Sequence, residues 1–344
     1  MSKFVYSLNI KQHTPLIHFQ SSQAGATLRA TELKPKLDRF LLQKVKDLPC
    51  VINANGHRSL EYKVKINSTN TNISIPKAYV KKSNTDPAIY QAPYFADAHK
   101  SVMSVNTLQI EFFSYNSQLL EAIKEYIDYF FVYENFGTRQ SKGFGSFTRA
   151  DISDAQINKI LAAHENPVFV LGTCKAYKDA FIKIDSFYKK LKMGINKPYF
   201  KSLLFRYMCD TYKIGWEKKF IKQNFPEVIH GEHQPLVCRD DREFRYIRAL
   251  LGLAEHNEFR PNGGKKQVRI KSKDGIERFK SPLIFKVIHS KIYILFNKSY
   301  QDIMDREFTF SLGKKSADIK TPSQFDMYEF LKFVAKHENV SEVK

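Results

Sequence analysis

Hydrophobic and polar residues alternate in several segments of the first half of the chain, and this alternation predicts strands. We predict strands at Phe4–Ile10, Ser59–Ile66 and Thr107–Ser114, and a fourth strand after Gly145. Thr107–Ser114 has the clearest pattern, because its apolar residues occupy every second position, as expected for a strand with one buried face.

Two segments of the first half have apolar residues at the spacing of an amphipathic helix. The first helix is predicted to begin near Lys34, with Pro35 in its first turn, where proline is tolerated. The second has a stronger pattern. Its apolar positions from Leu119 to Phe131 form one stripe, and Asn116 or Ser117 precedes them as a capping residue.

The predicted order of these elements, β-α-β-β-α-β, is typical of a ferredoxin-like unit. Between the second and third strands lies Asn67–Lys100, which is rich in Asn, Ser, Thr and Pro and too long for a tight turn. We interpret this segment as an excursion that carries a short strand of its own at Asn72–Tyr79.

The second half is less regular, but its pattern fits a second, degenerate ferredoxin-like domain with a helical insertion. Its predicted elements are a strand at Pro167–Gly172, helical stretches at Cys174–Lys192, Pro198–Tyr212 and Arg242–His256, a hairpin of Pro282–Ile288 and Lys291–Asn297 around His289-Ser290, and a C-terminal helix behind Pro322 with Thr321 as its cap. The prediction is therefore an α+β chain of two ferredoxin-like (RRM-like) domains, residues 1–155 and 156–344.

The net charge of the chain limits the classes of partner that the sequence favours. The 344 residues include 55 Lys and Arg against 35 Asp and Glu, a formal net charge of +20. A surplus of this size favours a polyanionic partner, either nucleic acid or an acidic membrane surface, although a basic proteome background is an alternative explanation.

Two features bear on where the protein works. The longest apolar stretch, Leu283–Ile288, is too short to cross a bilayer and is interrupted by Lys286, and Met1–Ile10 reads as a strand and not as a signal sequence. The four cysteines include no C-x-x-C pair, which is typical of a reducing compartment. We expect a cytoplasmic protein without a membrane partner.

The segment with the clearest candidate chemistry is Asn135–Phe147, NFGTRQSKGFGSF, which we call the glycine-rich loop. Its glycines permit positive φ and a close approach of the backbone to a ligand, its cations attract phosphate, and its aromatic ring can stack on a base. A Walker loop or a dinucleotide fingerprint would lie between a strand and a helix, whereas this loop follows a helix. The alternative is a simple glycine C-cap and turn.

A G-x(5)-G-x-G loop with Arg and Lys inside it, after the second helix of a ferredoxin-like fold, resembles the signature of the RAMP superfamily of CRISPR-associated proteins. Leu28–Phe40 (LRATELKPKLDRF) resembles the first-helix region of that family. Arg248–Leu253 (RALLGL) and Arg278–Val287 (RFKSPLIFKV) resemble the large members, and the combination is most similar to subunit one of type III-B (Cmr) effector complexes, which caps the 3′ side of the guide RNA.

The resemblance implies which residues contact RNA. In the glycine-rich loop these are Gly137, Arg139, Lys142, Gly143, Phe144 and Gly145, and their expected neighbours are Arg29, Lys34, Lys36 and Arg39. A second basic stretch contributes Lys265, Lys266, Arg269, Arg278 and Lys280. Pro261-Asn262-Gly263-Gly264, just before this stretch, predicts a mobile loop that becomes ordered on RNA; a solvated charged loop is the alternative.

The resemblance implies a non-catalytic subunit that binds CRISPR guide RNA, with target RNA as a further ligand and other RAMP subunits as partners, and no cofactor. The alternative is a metal-independent endoribonuclease that processes precursor CRISPR RNA, for which His18 is the candidate acid or base. His230, His233 and Cys238 provide only three zinc ligands without a fourth, so we expect no metal.

Overall fold

The computed structural model describes residues 3–17, 27–74, 102–195, 198–229, 242–261 and 264–343. By their contacts, the residues divide into two compact units. The first unit comprises Met1–Asp185, Ile284–Leu295 and Ser341–Lys344, and the second comprises Ser186–Leu283 and Phe296–Val340. The division at residue 155 expected from the sequence stays a prediction.

The first unit contains the predicted ferredoxin-like domain. Its elements are β1 (Val5–Gln12), β2 (Leu16–Ile17), α1 (Ala30–Lys44), β3 (Cys50–Ile52), β4 (Arg58–Leu60), β5 (Lys63–Ser74), β6 (Val102–Phe113), α2 (Ser117–Tyr133) and β7 (Phe147–Arg149). β1 pairs with β6 and β7, and β6 also pairs with β5, all antiparallel, so the sheet order is β5-β6-β1-β7. This is the order of a ferredoxin-like sheet, and the prediction is confirmed.

The remaining chain forms a second ferredoxin-like order of elements with long insertions. Its elements are α3 (Asp154–Ala162), β8 (Phe169–Thr173), α4 (Tyr177–Lys192), α5 (Leu203–Tyr212), β9 (Gly215–Trp216), α6 (Glu217–Asn224), β10 (Phe244–Arg245), β11 (His256–Phe259), β12 (Lys266–Ser272), β13 (Leu283–Ile288), β14 (Lys291–Phe296), β15 (Glu307–Leu312), β16 (Lys315–Lys320), α7 (Met327–Ala335) and β17 (Ser341–Glu342). The strand order β13-β14-β8-β17 is again ferredoxin-like, and α5 and α6 lie in the predicted helical insertion. The sequence did not predict the separate sheet β11-β12-β15-β16.

Helix α2 provides much of the core of the first unit. Asn116 accepts a hydrogen bond from the N–H of Leu119 at 3.1 Å, so it is the predicted N-cap. The apolar stripe is buried, with Ile123 and Phe130 fully inaccessible, and it packs in one cluster that also contains Leu295 from β14. Burial of this stripe stabilises both the helix and the position of the loop that follows it.

Helix α1 begins at Ala30, one turn earlier than predicted, so Pro35 lies inside the helix. Proline there removes one intrahelical hydrogen bond, which is why the sequence indicated a later start. Burial overrides this preference, because Leu33 in the added turn is completely buried and the carbonyl of Arg29 accepts the N–H groups of Glu32 and Leu33.

The predicted excursion Asn67–Lys100 begins as regular sheet. Strand β5 continues to Ser74, where it pairs with Val102 at the start of β6, so polar residues extend the hairpin instead of ending it. The short strand predicted at Asn72–Tyr79 is therefore the end of β5 as far as Ser74, and residues 75–79 lie outside the described residues.

Two predictions in the second unit are wrong. Arg242–His256 is not a helix; it contains β10, a 3-10 turn at Ile247–Leu251 and the start of β11. The 3-10 turn is buried on all sides, so its apolar residues do not mark one helical face. Thr321 is not the cap of α7, since its hydroxyl donates to the Ile303 carbonyl at 2.6 Å and Asp326 caps the helix.

No helix among the described residues is long and apolar enough to cross a membrane. The described cysteines Cys50, Cys174 and Cys209 are free thiols.

Candidate nucleic-acid interface

The glycine-rich loop joins α2 to β7 and is closed by a bridge between Asn135 and Ser146. Inside it, Gln140–Lys142 form a 3-10 turn with a left-handed residue on each side, Arg139 at φ 58° and Gly143 at φ 87°. Positive φ is unusual for arginine, and here the N–H of Lys142 donates to the Arg139 carbonyl at 2.9 Å to close the turn. The turn gives the loop a defined shape.

Gly145 and Gly137 are required by close backbone packing. A Cβ atom at Gly145 would lie 2.0 Å from the Phe136 carbonyl oxygen, and one at Gly137 would lie 2.5 Å from the Ile17 carbonyl oxygen. Both residues also have positive φ, so any side chain would be strained as well as crowded. These glycines therefore bring segments of the protein together, whether or not RNA is bound.

Lys36 and Lys34, predicted neighbours of RNA, make bonds within the protein. The Lys36 ammonium donates to the Asn135 carbonyl at 2.5 Å and to Gln140 Oε1 at 2.8 Å, so it holds the loop from the side of α1. The Lys34 ammonium lies 2.8 Å from Asp38 Oδ2 and donates to the Leu60 carbonyl at 2.7 Å. Both lysines support the fold around the loop.

Glu32 of α1 contacts the same loop. Its Oε1 accepts the N–H of Gly137 at 2.6 Å. Burial raises the pKa of this carboxyl group, while the Gly137 hydrogen bond and the Lys36 charge oppose the rise. The Gly137 N–H is thus already bonded within the protein.

The functional residue that sequence reasoning missed is Lys286 of β13. Its side chain is 0% exposed, and its ammonium donates to the Glu134 carbonyl at 2.6 Å and lies 3.3 Å from the Phe147 carbonyl. Burial lowers the pKa of Lys286 well below its ordinary value, with the Glu134 carboxylate opposing the shift. The sequence feature that could have indicated this role is a lysine at an inward position of an otherwise apolar strand. Its one ammonium group bonds to both ends of the loop.

Phe144 does not present its ring to solvent. It is 1% exposed and stacks on Phe181, with ring centroids 4.1 Å apart and an interplanar angle of 20°. The expectation that a base stacks on this ring is therefore wrong for this structure. The ring helps to keep the loop in place instead.

The predicted cations at the loop differ in exposure. Arg139 and Arg29 are half-buried and Arg39 is exposed on α1, whereas the Nζ atom of Lys142 is inaccessible to solvent. Arg29 is the N-cap residue of α1, and its carbonyl accepts the N–H of Leu33. Arg139 precedes the 3-10 turn and Lys142 is its last residue, so they are the cations whose backbone position the loop fixes most directly.

The second basic stretch is not a loop throughout. Lys266–Ser272 form β12, in which Arg269 is exposed and lies opposite His256 of β11 and Ser311 of β15. Lys265, just before the strand, lies 2.8 Å from Glu258 Oε2. Much of the basic stretch is therefore a strand and not a solvated loop, because Val268 alternates inward and is buried. Asn262 and Gly263 of the predicted mobile loop lie outside the described residues, and Arg278 and Lys280 are exposed between β12 and β13.

A further cluster of the first unit surrounds His13. Its Nδ1 accepts the backbone N–H of His289 at 3.2 Å, and its Nε2 lies 2.8 Å from the Thr148 hydroxyl. Burial, followed by the charges of Lys286, His289 and Lys11, lowers the pKa of His13 to about 3. His289 in turn lies 2.6 Å from Asp154 Oδ1. These bonds fix a neutral imidazole beside the strand β7.

The other candidate residues lie outside the described residues, namely His18 for catalysis and His230, His233 and Cys238 for zinc. Among the residues that are described, no group of three His, Cys, Asp or Glu side chains is arranged to hold a metal ion.

Comparisons with known proteins bear on the family. The Cmr1 N-terminal domain matches residues 1–195, and the Cmr1 C-terminal domain matches residues 199–344. Among curated proteins, none matches the chain.

Solved structures give remote similarities. Cmr1 from Pyrococcus furiosus in its apo form shares 11% identity at a TM-score of 0.44, over 99% of this chain and 98% of that one. A chain of the type III-B Cmr-beta complex bound to cognate target RNA shares 14% identity at a TM-score of 0.28, over 44% of this chain and 60% of that one. This chain thus spans less than two thirds of the second structure's chain.

The two domain matches follow each other along almost the entire sequence. They confirm the resemblance to RAMP proteins and, within them, to subunit one of Cmr complexes. The chain belongs to the Cmr1 family.

Proposed function

We propose that this chain is a non-catalytic subunit of a type III-B effector complex that binds the 3′ region of the guide RNA. Its partners are guide RNA, target RNA paired near that end, and neighbouring RAMP subunits. Support for the complex comes from the family, because both domains of Cmr1 match and together cover almost the whole chain.

The observation that carries the proposal is the rigid glycine-rich loop with cations at its turn. Its backbone is fixed by Lys286, Lys36 and the close contact at Gly145, so the loop needs little ordering when it binds. Arg139 and Lys142 lie at the turn itself, where two left-handed residues set the backbone direction. In this proposal the Arg139 side chain contacts a phosphate, and Arg39 extends the contact along α1. Lys142, whose Nζ atom is inaccessible to solvent, contributes its positive charge from within the loop.

Three further residues have a supporting part in this proposal. Phe144, Lys34 and Lys36 hold the loop and α1 in place through contacts within the protein. In the second unit, Arg269, Arg278 and Lys280 are the exposed cations that we propose as a further phosphate-contacting set, together with Lys265 and Lys266.

The double variant Arg139→Ala/Lys142→Ala tests the proposal. We expect its affinity for single-stranded RNA to fall by about 1–3 kcal/mol for each charge-assisted hydrogen bond to phosphate that the substitution removes. Because the Lys142 Nζ atom is buried, the thermal midpoint is measured for the double variant and for Arg139→Ala alone, which should keep the midpoint of the wild type. The matched control is Lys124→Ala/Lys332→Ala, which removes two exposed lysines that pair with Glu121 and Glu329 on helices.

Equal affinity of the double variant and the wild type would contradict the proposed role of the loop. Incubation of the wild type with repeat-containing RNA tests the non-catalytic part, because discrete cleavage of the RNA would contradict it. Purification from the host, with sequencing of the RNA that accompanies the chain, tests whether that RNA is a guide.

A further inference from the structure

Among the residues that the structure describes, helices cover one face of the ferredoxin-like sheet of the first unit, and no element covers the other face. On β1, Leu8 and Ile10 are buried, whereas Ser7, Asn9 and Lys11 are exposed. We call the outward side chains of Val5–Lys11 in β1, Lys63–Asn67 in β5 and Gln109–Phe113 in β6 the open sheet face. No sequence motif singled out this face, and it is distinct from the glycine-rich loop.

Amide side chains cross the middle of the open sheet face in one row. Asn9 of β1 lies opposite Gln109 of β6, and Gln109 lies opposite Asn67 of β5. Asn9 and Gln109 are exposed, and Asn67 is partly exposed. Carboxamides carry both donors and acceptors, which is the set that base edges require.

Aromatic rings lie at one end of the same face. Phe113 is paired with Val5 of β1 and Lys63 of β5, and its ring centroid is 5.0 Å from that of Tyr115. Tyr115 is 79% exposed and also contacts Phe4, which is 40% exposed. Phe4, Phe113 and Tyr115 thus form one group of partly exposed rings, on which a base can stack.

The charge of the open sheet face is positive. Lys11, Lys63 and Lys65 are exposed on it, and Glu111 is the acidic residue in its rows, 3.9 Å from the Lys65 ammonium. Lysines around a row of amides and a group of aromatic rings combine phosphate, base-edge and base-face contacts on one surface. A four-stranded sheet that stacks bases on its aromatic side chains is one general means of binding single-stranded RNA.

We propose that the open sheet face is a second RNA site, which binds single-stranded RNA by its bases, with one base stacked on Tyr115 and the next read by the amide row. This inference rests on the proposed RNA-binding function but uses a different surface. A protein partner fits less well, because interface centres are depleted in charge and this face carries four charged side chains and a row of amides.

The test is Tyr115→Ala in the full chain, titrated with labelled oligouridine. Stacking on one ring predicts a loss of affinity of at least about fivefold. Tyr115→Phe should keep the affinity because the phenyl ring still stacks. Tyr199→Ala is the matched control, as it removes a tyrosine that is 77% exposed in the second unit.

The salt dependence separates this site from the loop. Tyr115 is uncharged, so Tyr115→Ala should leave the slope of log affinity against log salt unchanged, whereas Arg139→Ala/Lys142→Ala should reduce it. Crosslinking with 4-thiouridine RNA should label peptides that contain Tyr115 or Asn9.

Each other outcome overturns the inference. If Tyr115→Ala binds oligouridine as the wild type does while the loop variant is weakened, the sheet face is not an RNA site and the proposed function stands. If Tyr115→Ala instead weakens association with another subunit, the face is a protein interface. If the wild type does not bind RNA, both proposals are wrong.

Discussion

A single buried ammonium determines how the two ends of the glycine-rich loop are held. Lys286 reaches the carbonyls of Glu134 and Phe147, which lie on opposite sides of the loop. Removing a buried charge recovers its desolvation cost, but it also leaves two carbonyls without this donor. We expect the second effect to be the larger one, because Lys286 is 0% exposed and the substitution leaves no donor in its place.

We therefore expect Lys286→Met to lower the free energy of unfolding by about 1–3 kcal/mol for each carbonyl left unpaired. Urea denaturation measures this change, and Lys298→Met, at an exposed lysine, is the control. RNA affinity should fall as well, since the loop loses its fixed shape. A variant as stable as the wild type would show that the ammonium contributes no net stability.

The lowered pKa of His13 predicts that the folded chain loses stability in acid. The unfolded chain protonates this residue near pH 6.5, whereas the folded chain does so near its lowered pKa of about 3. Stability is therefore undiminished above pH 6.5 and falls as the pH drops toward 3, by up to about 1.4 kcal/mol per pH unit.

His13→Gln should reduce this slope, as measured by urea denaturation at a series of pH values. His57→Gln is the control, because His57 is exposed in the turn between β3 and β4. An identical pH slope in the wild type and in His13→Gln would mean that another group titrates.

At the scale of elements, the loop depends on glycine for two separable reasons, backbone conformation and space. Gly56 and Gly145 both have positive φ, 76° and 67°, but a Cβ atom at Gly56 would meet nothing within 4 Å. Gly56→Ala should therefore lower the free energy of unfolding only by the penalty of a left-handed backbone at alanine, about 1–2 kcal/mol. Gly145→Ala must in addition displace the Phe136 backbone.

We expect Gly145→Ala to lower the thermal midpoint clearly more than Gly56→Ala does. Differential scanning calorimetry of both variants measures the difference. Equal shifts would indicate that the backbone near Phe136 moves without cost.

Elements with one buried face were predictable, and elements buried all round were not. Helix α2 has one apolar stripe that faces the core, and strand β6 has apolar residues at every second position. Their sequence patterns therefore indicated their structure. Ile247–Leu251 is buried on all sides, and Pro35 is overridden by burial of Leu33, so tertiary packing decided both segments. The contacts of Phe144 and Lys286 with residues distant in the sequence likewise could not be predicted from the local sequence pattern.

At the scale of the whole molecule, the net charge of +20 predicts how RNA binding responds to salt. If about five phosphates are contacted, log affinity should fall against log salt with a slope near −3.5. Fluorescence anisotropy with a labelled oligouridine over a series of salt concentrations measures this slope. A flat response would exclude phosphate contacts as the main source of affinity.

The strand order of the two sheets has a consequence for synthesis on the ribosome. The sheet β5-β6-β1-β7 is complete once Arg149 has been made, so the first ferredoxin-like domain can fold while translation continues. In the other sheet, β8 needs β14 on one side and β17 on the other, and β17 is made only at Ser341–Glu342. Strand β8 therefore leaves the ribosome long before either neighbour, with both edges unpaired. During that interval it is the part of the nascent chain most in need of protection by a chaperone.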